Sequence, residues 1–301
     1  MTGTVFLVNP ASANGSTGKR WAEIAHRSAA LGLTGDALLS GAPGELTELA
    51  RRAADDGANL LVVVGGDGSV HEVVNGVAQR DEIEVAVIPR GTGWDFARSL
   101  ALPRRLDDAV RVALAGKTRT IDLGRASYHA WGGGGARAWF ANVGSVGMSG
   151  AIAQRANDTT KALGGKASYV WATFAVFSSW SNSEIEVTVD DETRRARMHD
   201  VIVANGHSIA GGMKLCPAAE PDDGLFDVLT IGDLTKGDLL LTLPKTFRGT
   251  HLPHPKAELL RGTRVTVEAP EPLPLELDGE QPGTTPVRFE LVRNALRVRV
   301  P

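Results

Sequence analysis

Residues 60–76, Leu-Leu-Val-Val-Val-Gly-Gly-Asp-Gly-Ser-Val-His-Glu-Val-Val-Asn-Gly, constrain the fold of this chain more than any other stretch. Leu60 to Val64 form an apolar, β-branched run of the kind buried on both faces of a parallel sheet. Val70, Val73, Val74 and Val77 then recur at helical spacing. The segment reads strand, tight glycine loop, helix. Gly65, Gly66 and Gly68 suit positive φ and let a ligand approach the backbone closely. The helix that follows turns unpaired N–H groups and the positive end of its dipole toward the loop, which suits a phosphate. Asp67 is the unusual member, because a carboxylate beside a polyanion repels it unless a metal comes between them; Mg²⁺ is the expectation. The same turn also occurs in α/β proteins that bind nothing, so it needs a second element to carry function.

That element follows at once. Val85-Ala86-Val87-Ile88 runs into Pro89-Arg90-Gly91-Thr92-Gly93-Trp94-Asp95-Phe96-Ala97-Arg98, again strand, glycines and helix. Two such loops at the carboxyl ends of parallel strands line one crevice. Thr92 offers a hydroxyl to a phosphate oxygen, and Asp95 a carboxylate to a metal-bound water. Their alternatives are an N-cap for Thr92 and a first-turn helix acid for Asp95.

The organisation changes near residue 120. Before it, apolar strands alternate with helical patterns over 21–31, 45–54, 70–78 and 106–115, as in a parallel sheet covered by helices. After it come short strand patterns over 185–189, 201–204, 225–231, 264–268, 274–277, 287–291 and 296–300. Several alternate apolar and polar residues, which predicts a mostly antiparallel sandwich. The expected architecture is an α/β nucleotide-binding domain over 1–120 and a β-sandwich domain over 121–289, with the active site in the cleft between them.

A length of 301 residues suits two domains, and the formal charge of −3 gives no reason to expect nucleic acid. Between Arg98 and Arg137 the charge is locally basic, a candidate contact for anionic lipid or simply a solvated face. Cys216 is the single cysteine, so no intramolecular disulfide forms, in keeping with a cytoplasmic protein. The first residues lack a signal-peptide pattern, and no apolar run is long enough for a transmembrane helix.

Together, Gly-Gly-Asp-Gly-Ser and Gly-Thr-Gly-x-Asp-Phe-Ala resemble the diacylglycerol kinase catalytic domain family, which includes soluble bacterial lipid kinases and, more distantly, sphingosine and ceramide kinases. Other landmarks occur in the same order: Asn9-Pro10-Ala11-Ser12, Ile121-Asp122-Leu123-Gly124, Phe140-Ala141-Asn142-Val143-Gly144, Gly211-Gly212-Met213-Lys214 with Pro217 to Asp227, and Leu277-Asp278-Gly279-Glu280. The resemblance implies ATP as co-substrate, Mg²⁺, and a Rossmann-like first domain completed by the last strand, 290–301. It assigns the nucleotide to Asn9, Pro10, Ser12, Gly65, Gly66, Asp67, Gly68, Ser69, Glu72, Gly91, Thr92 and Gly93. It gives Glu220, Asp223 and the carbonyl of Leu225 to a structural Mg²⁺, and makes Glu280 the general base beside Asp67 and Asp95. Two positions depart from the pattern: Trp94 and His71 stand where the family usually has Asn.

The residues alone leave alternatives. Glu220-Pro221-Asp222-Asp223-Gly224-Leu225 suits a hard cation, or is an acidic turn without one. Glu280 follows a strand and a glycine, where it can accept a hydroxyl proton during phosphorylation, or is a surface hairpin glutamate. Residues 166–180 carry Tyr169, Trp171, Phe174, Phe177 and Trp180, fit for an acyl pocket, a bilayer contact or a helix packed on the sandwich. The expected function is transfer of the γ-phosphate of ATP to a hydroxyl of a diacylglycerol-like lipid, with peripheral contact at the inner face of the membrane. The competing readings are a soluble-acceptor kinase resembling NAD kinase and a non-catalytic sensor. A homodimer is a further expectation.

Overall fold

The computed structural model describes residues 3–91, 93–151 and 180–301. Thr92 and the aromatic stretch up to residue 179 lie outside the described residues. The chain divides into two compact units, Met1–Leu123 with Arg293–Pro301, and Gly124–Val292.

In the first unit, β1 (Thr4–Val8), α1 (Ser16–Ala30), β2 (Asp36–Leu39), α2 (Glu45–Asp55), β3 (Leu60–Gly65), α3 (Asp67–Val77), β4 (Glu84–Pro89), α4 (Asp95–Ser99) and α5 (Leu106–Ala115) alternate. The first four strands pair in parallel: β1 lies between β2 and β3, and β3 pairs β4. Phe6, Val8, Val62, Val64, Ala86 and Ile88 share a core with Ile24 of α1 and with Ala109, Val110 and Ala113 of α5. Trp21 adds an edge-on ring contact to Phe6 at 5.6 Å. Residues between these, Val5, Leu7, Leu61, Val63, Val85 and Val87, are also buried. Burial on both faces explains why the strands read as unbroken apolar runs. α3 buries Val70, Val73, Val74 and Val77. Each such burial contributes about 1.5–3 kcal/mol, which outweighs the few tenths that valine costs a helix.

The second unit is antiparallel. Its elements are β5 (Lys117–Ala130), which starts in the first unit, β6 (Gly135–Phe140), β7 (Val143–Gly147), β8 (Ser183–Val189), β9 (Glu192–Ala204), β10 (Phe226–Gly232), α6 (Lys236–Thr246), β11 (Ala257–Gly262), β12 (Arg264–Glu268), β13 (Pro274–Leu277) and β14 (Glu280–Val300). β7 runs between β9 and β13, and β12 between β8 and β14. Phe140, Phe226 and Phe289 centre its core, with Phe140 5.7 Å from each of the others. β14 is one strand where the sequence predicts two. Asn294 adopts φ 53, a conformation asparagine tolerates, and its N–H donates to Asp122 at 2.8 Å, so the polar gap is bridged. The end of β14 then pairs in parallel with β4 through Arg297–Glu84 and Val298–Val85.

A bulge in β9 places a buried polar pair. Ile231 of β10 faces Asp200, but Gly232 faces Met198, leaving His199 as the extra residue. The bulge turns His199 and Asp200 to the same side, with His199 Nδ1 3.7 Å from Asp200 Oδ2. Ser149 donates to Asp200 through both its hydroxyl (2.7 Å) and its N–H (3.0 Å). Burial pushes the Asp200 carboxyl up to about 8, the Ser149 hydrogen bonds oppose this, and the charge of Glu276 adds to it. Burial pushes the His199 imidazole down to about 4. The folded state therefore holds a proton on Asp200 that the unfolded chain loses above its usual pKa, and stability falls as pH rises toward 8. His199 acts oppositely between about 4 and 6.5, where only the unfolded chain is protonated, so the net fall lies between about 6.5 and 8. Asp200→Asn should remove that fall. Its melting temperature relative to wild type should rise from pH 6.5 to 8.5, by an amount equivalent to about 2 kcal/mol. A difference independent of pH would show that Asp200 is ionised in the fold.

Candidate active site

The two glycine loops of the first unit meet backbone to backbone. A Cβ on Gly91 would stand 2.7 Å from the Cα of Gly66, and the Arg90 N–H donates to the Gly65 carbonyl at 2.6 Å. Gly66 has φ −97, and Gly65 and Gly68 lie within β3 and α3. These glycines serve close approach, and the left-handed geometry expected of them is absent. α3 begins at Asp67, so Asp67, Gly68 and Ser69 form the helix's first turn and no side chain caps it. Asp67 clamps the second loop: Oδ2 accepts the Trp94 N–H at 2.8 Å and Oδ1 the Phe96 N–H at 3.0 Å. Gly91→Ala should force the loops apart, costing about 1–3 kcal/mol of stability. Misplacement of the phosphate-facing groups should cut kcat/KM for ATP by about 10²-fold, and activity within twofold of wild type would mean the contact is dispensable.

The left-handed residue of the site is Trp94, with φ 68. This conformation favours Asn, the residue the family usually carries there, and a tryptophan holds it only with outside support. Trp94 Nε1 donates to the Gly91 carbonyl at 2.5 Å, and the Arg104 guanidinium stacks 4.6 Å from the ring. Trp94 lines a small cavity with Gly65, Gly66, Asp67, Gly91 and Phe96. Asp95 is buried and held by Arg98, whose Nη1 reaches its Oδ1 at 2.8 Å and the Gly93 carbonyl at 2.5 Å. A Cβ on Gly93 would fall 2.4 Å from Asp67 Oδ2 and 3.4 Å from Asp95 Oδ2. The two carboxylates thus converge on Gly93, where any side chain would collide with Asp67. Carboxylate oxygens are the hard donors that Mg²⁺ takes, directly or through water.

Asn9 joins the opening loop to this site, its side-chain amide donating to Ser69 Oγ at 3.0 Å while its oxygen accepts the Ala11 N–H. Ser12 folds back on the same loop, donating to the Asn9 carbonyl at 2.9 Å, and Pro10 accepts the Gly18 N–H. Glu72 is placed differently: its carboxylate accepts the Leu46 N–H at the start of α2 (2.9 Å), a helix-capping contact. His71 sits on α3 one turn from Asn75, whose amide lies 3.4 Å from its Nε2.

In the second unit, Asp278 and Gly279 both take positive φ and form a two-residue hairpin turn between β13 and β14, with Leu277 facing Glu280. Asp278 anchors the turn by accepting the N–H groups of Ala141 (2.8 Å), Asn142 (2.9 Å) and Val143 (3.0 Å). Glu276 is buried, accepting from Ser145 Oγ at 2.7 Å and from the Gly279 N–H. Glu280 is exposed on this braced turn. The Asp278 clamp and the Arg98 contact carry only weak sequence signals, an Asp-Gly turn for the first and the i,i+3 spacing of Asp95 and Arg98 for the second.

The acidic turn at 220–225 is engaged by an arginine. Asp223 Oδ2 pairs with Arg261, which also holds Asp227 at 2.7 Å, and Asp223 Oδ1 accepts the Leu225 N–H at 3.0 Å. Glu220 is exposed, and among the described residues no three acidic, histidine or cysteine side chains come together as a metal group. Arg261 thus holds Asp223, one of the three ligands that the resemblance gives to Mg²⁺.

Comparison with known proteins agrees with these two units. The diacylglycerol kinase catalytic domain matches residues 3–126, and the YegS C-terminal NAD kinase beta sandwich-like domain matches residues 142–300. A diacylglycerol kinase of Staphylococcus carnosus (strain TM300) is 27% identical over 259 residues, 86% of this chain and 82% of that one. One from Bacillus subtilis (strain 168) is 26% identical over 300 residues, 98% of this chain and 95% of that one. A crystal structure of a diacylglycerol kinase from Bacillus anthracis str. Sterne superposes with a TM-score of 0.73 at 19% identity, over 99% of this chain and 96% of that one, a likeness of fold. Among the described residues no helix is long and apolar enough to cross a membrane. With its glycine loops, its Asp-Gly-Glu turn and both domain matches in order, the chain carries a diacylglycerol kinase catalytic domain over residues 3–126, belongs over residues 142–300 to the YegS C-terminal NAD kinase beta sandwich-like domain family, and is a kinase.

Proposed function

We propose that this protein transfers the γ-phosphate of ATP to a hydroxyl of a diacylglycerol-like lipid, giving a phosphatidic-acid-type product for phospholipid synthesis. The observation that carries the reading is Asp67, which begins α3 and clamps the second glycine loop with both its oxygens. The first turn of α3, which no side chain caps, suits nucleotide phosphates, and Gly91 and Gly93 let the second loop reach the same phosphates. Asn9, Pro10, Ser12 and Thr92 would complete the nucleotide site. Asp67 and Asp95 would hold Mg²⁺ through water, and that ion, when bound, neutralises charge on the phosphate oxygens. Glu280 would accept the proton of the attacking hydroxyl. The nucleotide groups belong to a Rossmann-like first unit and the base to the second. The enzyme would be cytoplasmic and meet its lipid at the membrane surface.

The test is ATP consumption with dioleoylglycerol, sphingosine and NAD offered separately, the lipids in mixed micelles. Turnover with a lipid alcohol supports the reading. Turnover with NAD alone would replace it with a soluble-acceptor kinase, and no ATP binding would leave a non-catalytic sensor.

A further inference from the structure

Eight large hydrophobic side chains are exposed among the described residues, and four of them fall within eight positions: Leu240, Leu241, Leu243 and Phe247. They belong to α6 and the residue that follows it. Leu239, Thr242 and Thr246, spaced three and four apart, are the less exposed positions and face the body of the second unit. Leu240, Leu243 and Phe247 follow the same spacing on the outside, with Leu241 beside them. Leu241 is 75% exposed and Leu240 64%, whereas Leu39, Leu114 and Trp131 stand singly in the sequence. A capping box between Thr235 and Asp238 fixes the start of the helix, so its outer face is a formed surface.

Most of the charges around it are cationic. Lys236, Lys245 and Arg248 are exposed on or beside the helix. Lys214, also exposed, is brought to its end by an N–H donated to the Thr246 carbonyl at 2.8 Å. Asp238 is the single acid between residues 236 and 256, and Lys256 Nζ holds it at 3.0 Å. The basic stretch from Arg98 to Arg137 is in part compensated: Arg98 pairs with Asp95, Arg111 with Asp108 and Arg125 with Glu290.

We infer that the outer face of α6 docks the protein on an anionic bilayer, with Leu240, Leu241, Leu243 and Phe247 entering the headgroup–acyl boundary and Lys245, Arg248 and Lys214 meeting acidic headgroups. An apolar stripe bordered by cations is the pattern of a helix lying in the membrane interface. A two-fold contact with a second copy would bring the same cations against each other, whereas an acidic lipid surface neutralises them. The choice of a bilayer rests on the lipid-kinase reading, since that substrate resides there.

Flotation of the full chain with phosphatidylcholine vesicles containing about 30 mol % phosphatidylglycerol tests this directly. Wild type should float with the vesicles, and Leu240→Gln/Leu241→Gln/Phe247→Gln should reduce the bound fraction about tenfold. Lys245→Gln/Arg248→Gln should weaken binding and flatten its salt dependence. With a short-chain diacylglycerol in free solution, the triple variant should match wild type; with vesicle-borne substrate it should fall about tenfold. Equal flotation of wild type and triple variant would overturn the inference. So would a wild-type dimer that the triple variant dissolves without any change in vesicle binding. Variant-sensitive flotation by a protein inactive on every acceptor would uphold the docking face and sink the lipid-kinase reading alone.

Discussion

Asp67→Asn should lower kcat for phosphate transfer by about 10³-fold, the scale of removing one pre-placed electrostatic partner of the transferring group and a loop contact with it. The reason is that Asp67 has two tasks. Its oxygens hold Trp94 and Phe96 by their N–H groups, and Oδ2 also borders the space beside Gly93 that Asp95 shares. Asparagine keeps one acceptor oxygen, so one of the two N–H contacts fails and the negative charge that would attract Mg²⁺ disappears. Folding should suffer only by about 1–2 kcal/mol, because Asp67 is half-buried and one hydrogen bond survives. Steady-state kinetics beside thermal unfolding check both halves. Near-wild-type kcat would remove Asp67 from the phosphate chemistry and reduce it to a loop fastener.

Glu280→Gln should lower kcat by about 10²–10⁴-fold, the range for loss of a positioned general base. Its position makes the result unusually clean. Glu280 is exposed, and the turn before it is held by Asp278 and Glu276, so the substitution leaves the scaffold alone. Stability should stay within about 0.5 kcal/mol of wild type. ATP affinity should be unchanged, since the nucleotide groups belong to the other unit. A variant that binds ATP normally and turns over normally would assign proton acceptance to another group.

β1, β3 and β4 are plain in the sequence because both their faces are buried, whereas β2, Asp36–Leu39, is largely exposed and carries no such run. Leu60 to Val64 and Val85 to Ile88 allow no other reading, and α3 follows from four valines at helical spacing. Other elements leave weaker traces. The hairpin of β5 and β6 carries Lys117, Arg119, Arg125 and Arg137 among its apolar residues, which masks its strand character. α6 escapes notice because its leucines fall on both faces, Leu239 toward the body and Leu240, Leu241 and Leu243 outward, so no single apolar stripe marks a packed helix. At the site, Gly66 and Gly91 are visible as loop glycines, but their mutual contact depends on the register of β3 against β4, which pairs Gly65 with Pro89. Glu72 lies one turn from Ser69 and looks like a loop ligand, and only tertiary packing shows it capping α2. The role of Arg261 beside Asp223 was hidden for the same reason: thirty-eight residues separate them.

The central claim is that these loops present ATP to a lipid hydroxyl. The most direct measurement follows label from [γ-³²P]ATP into dioleoylglycerol in mixed micelles with Mg²⁺, comparing wild type with Asp67→Asn and Glu280→Gln. Labelled phosphatidic acid from wild type, and almost none from either variant, is the predicted result. Wild-type protein that binds ATP but leaves dioleoylglycerol unlabelled, or equal labelling by all three proteins, would contradict it.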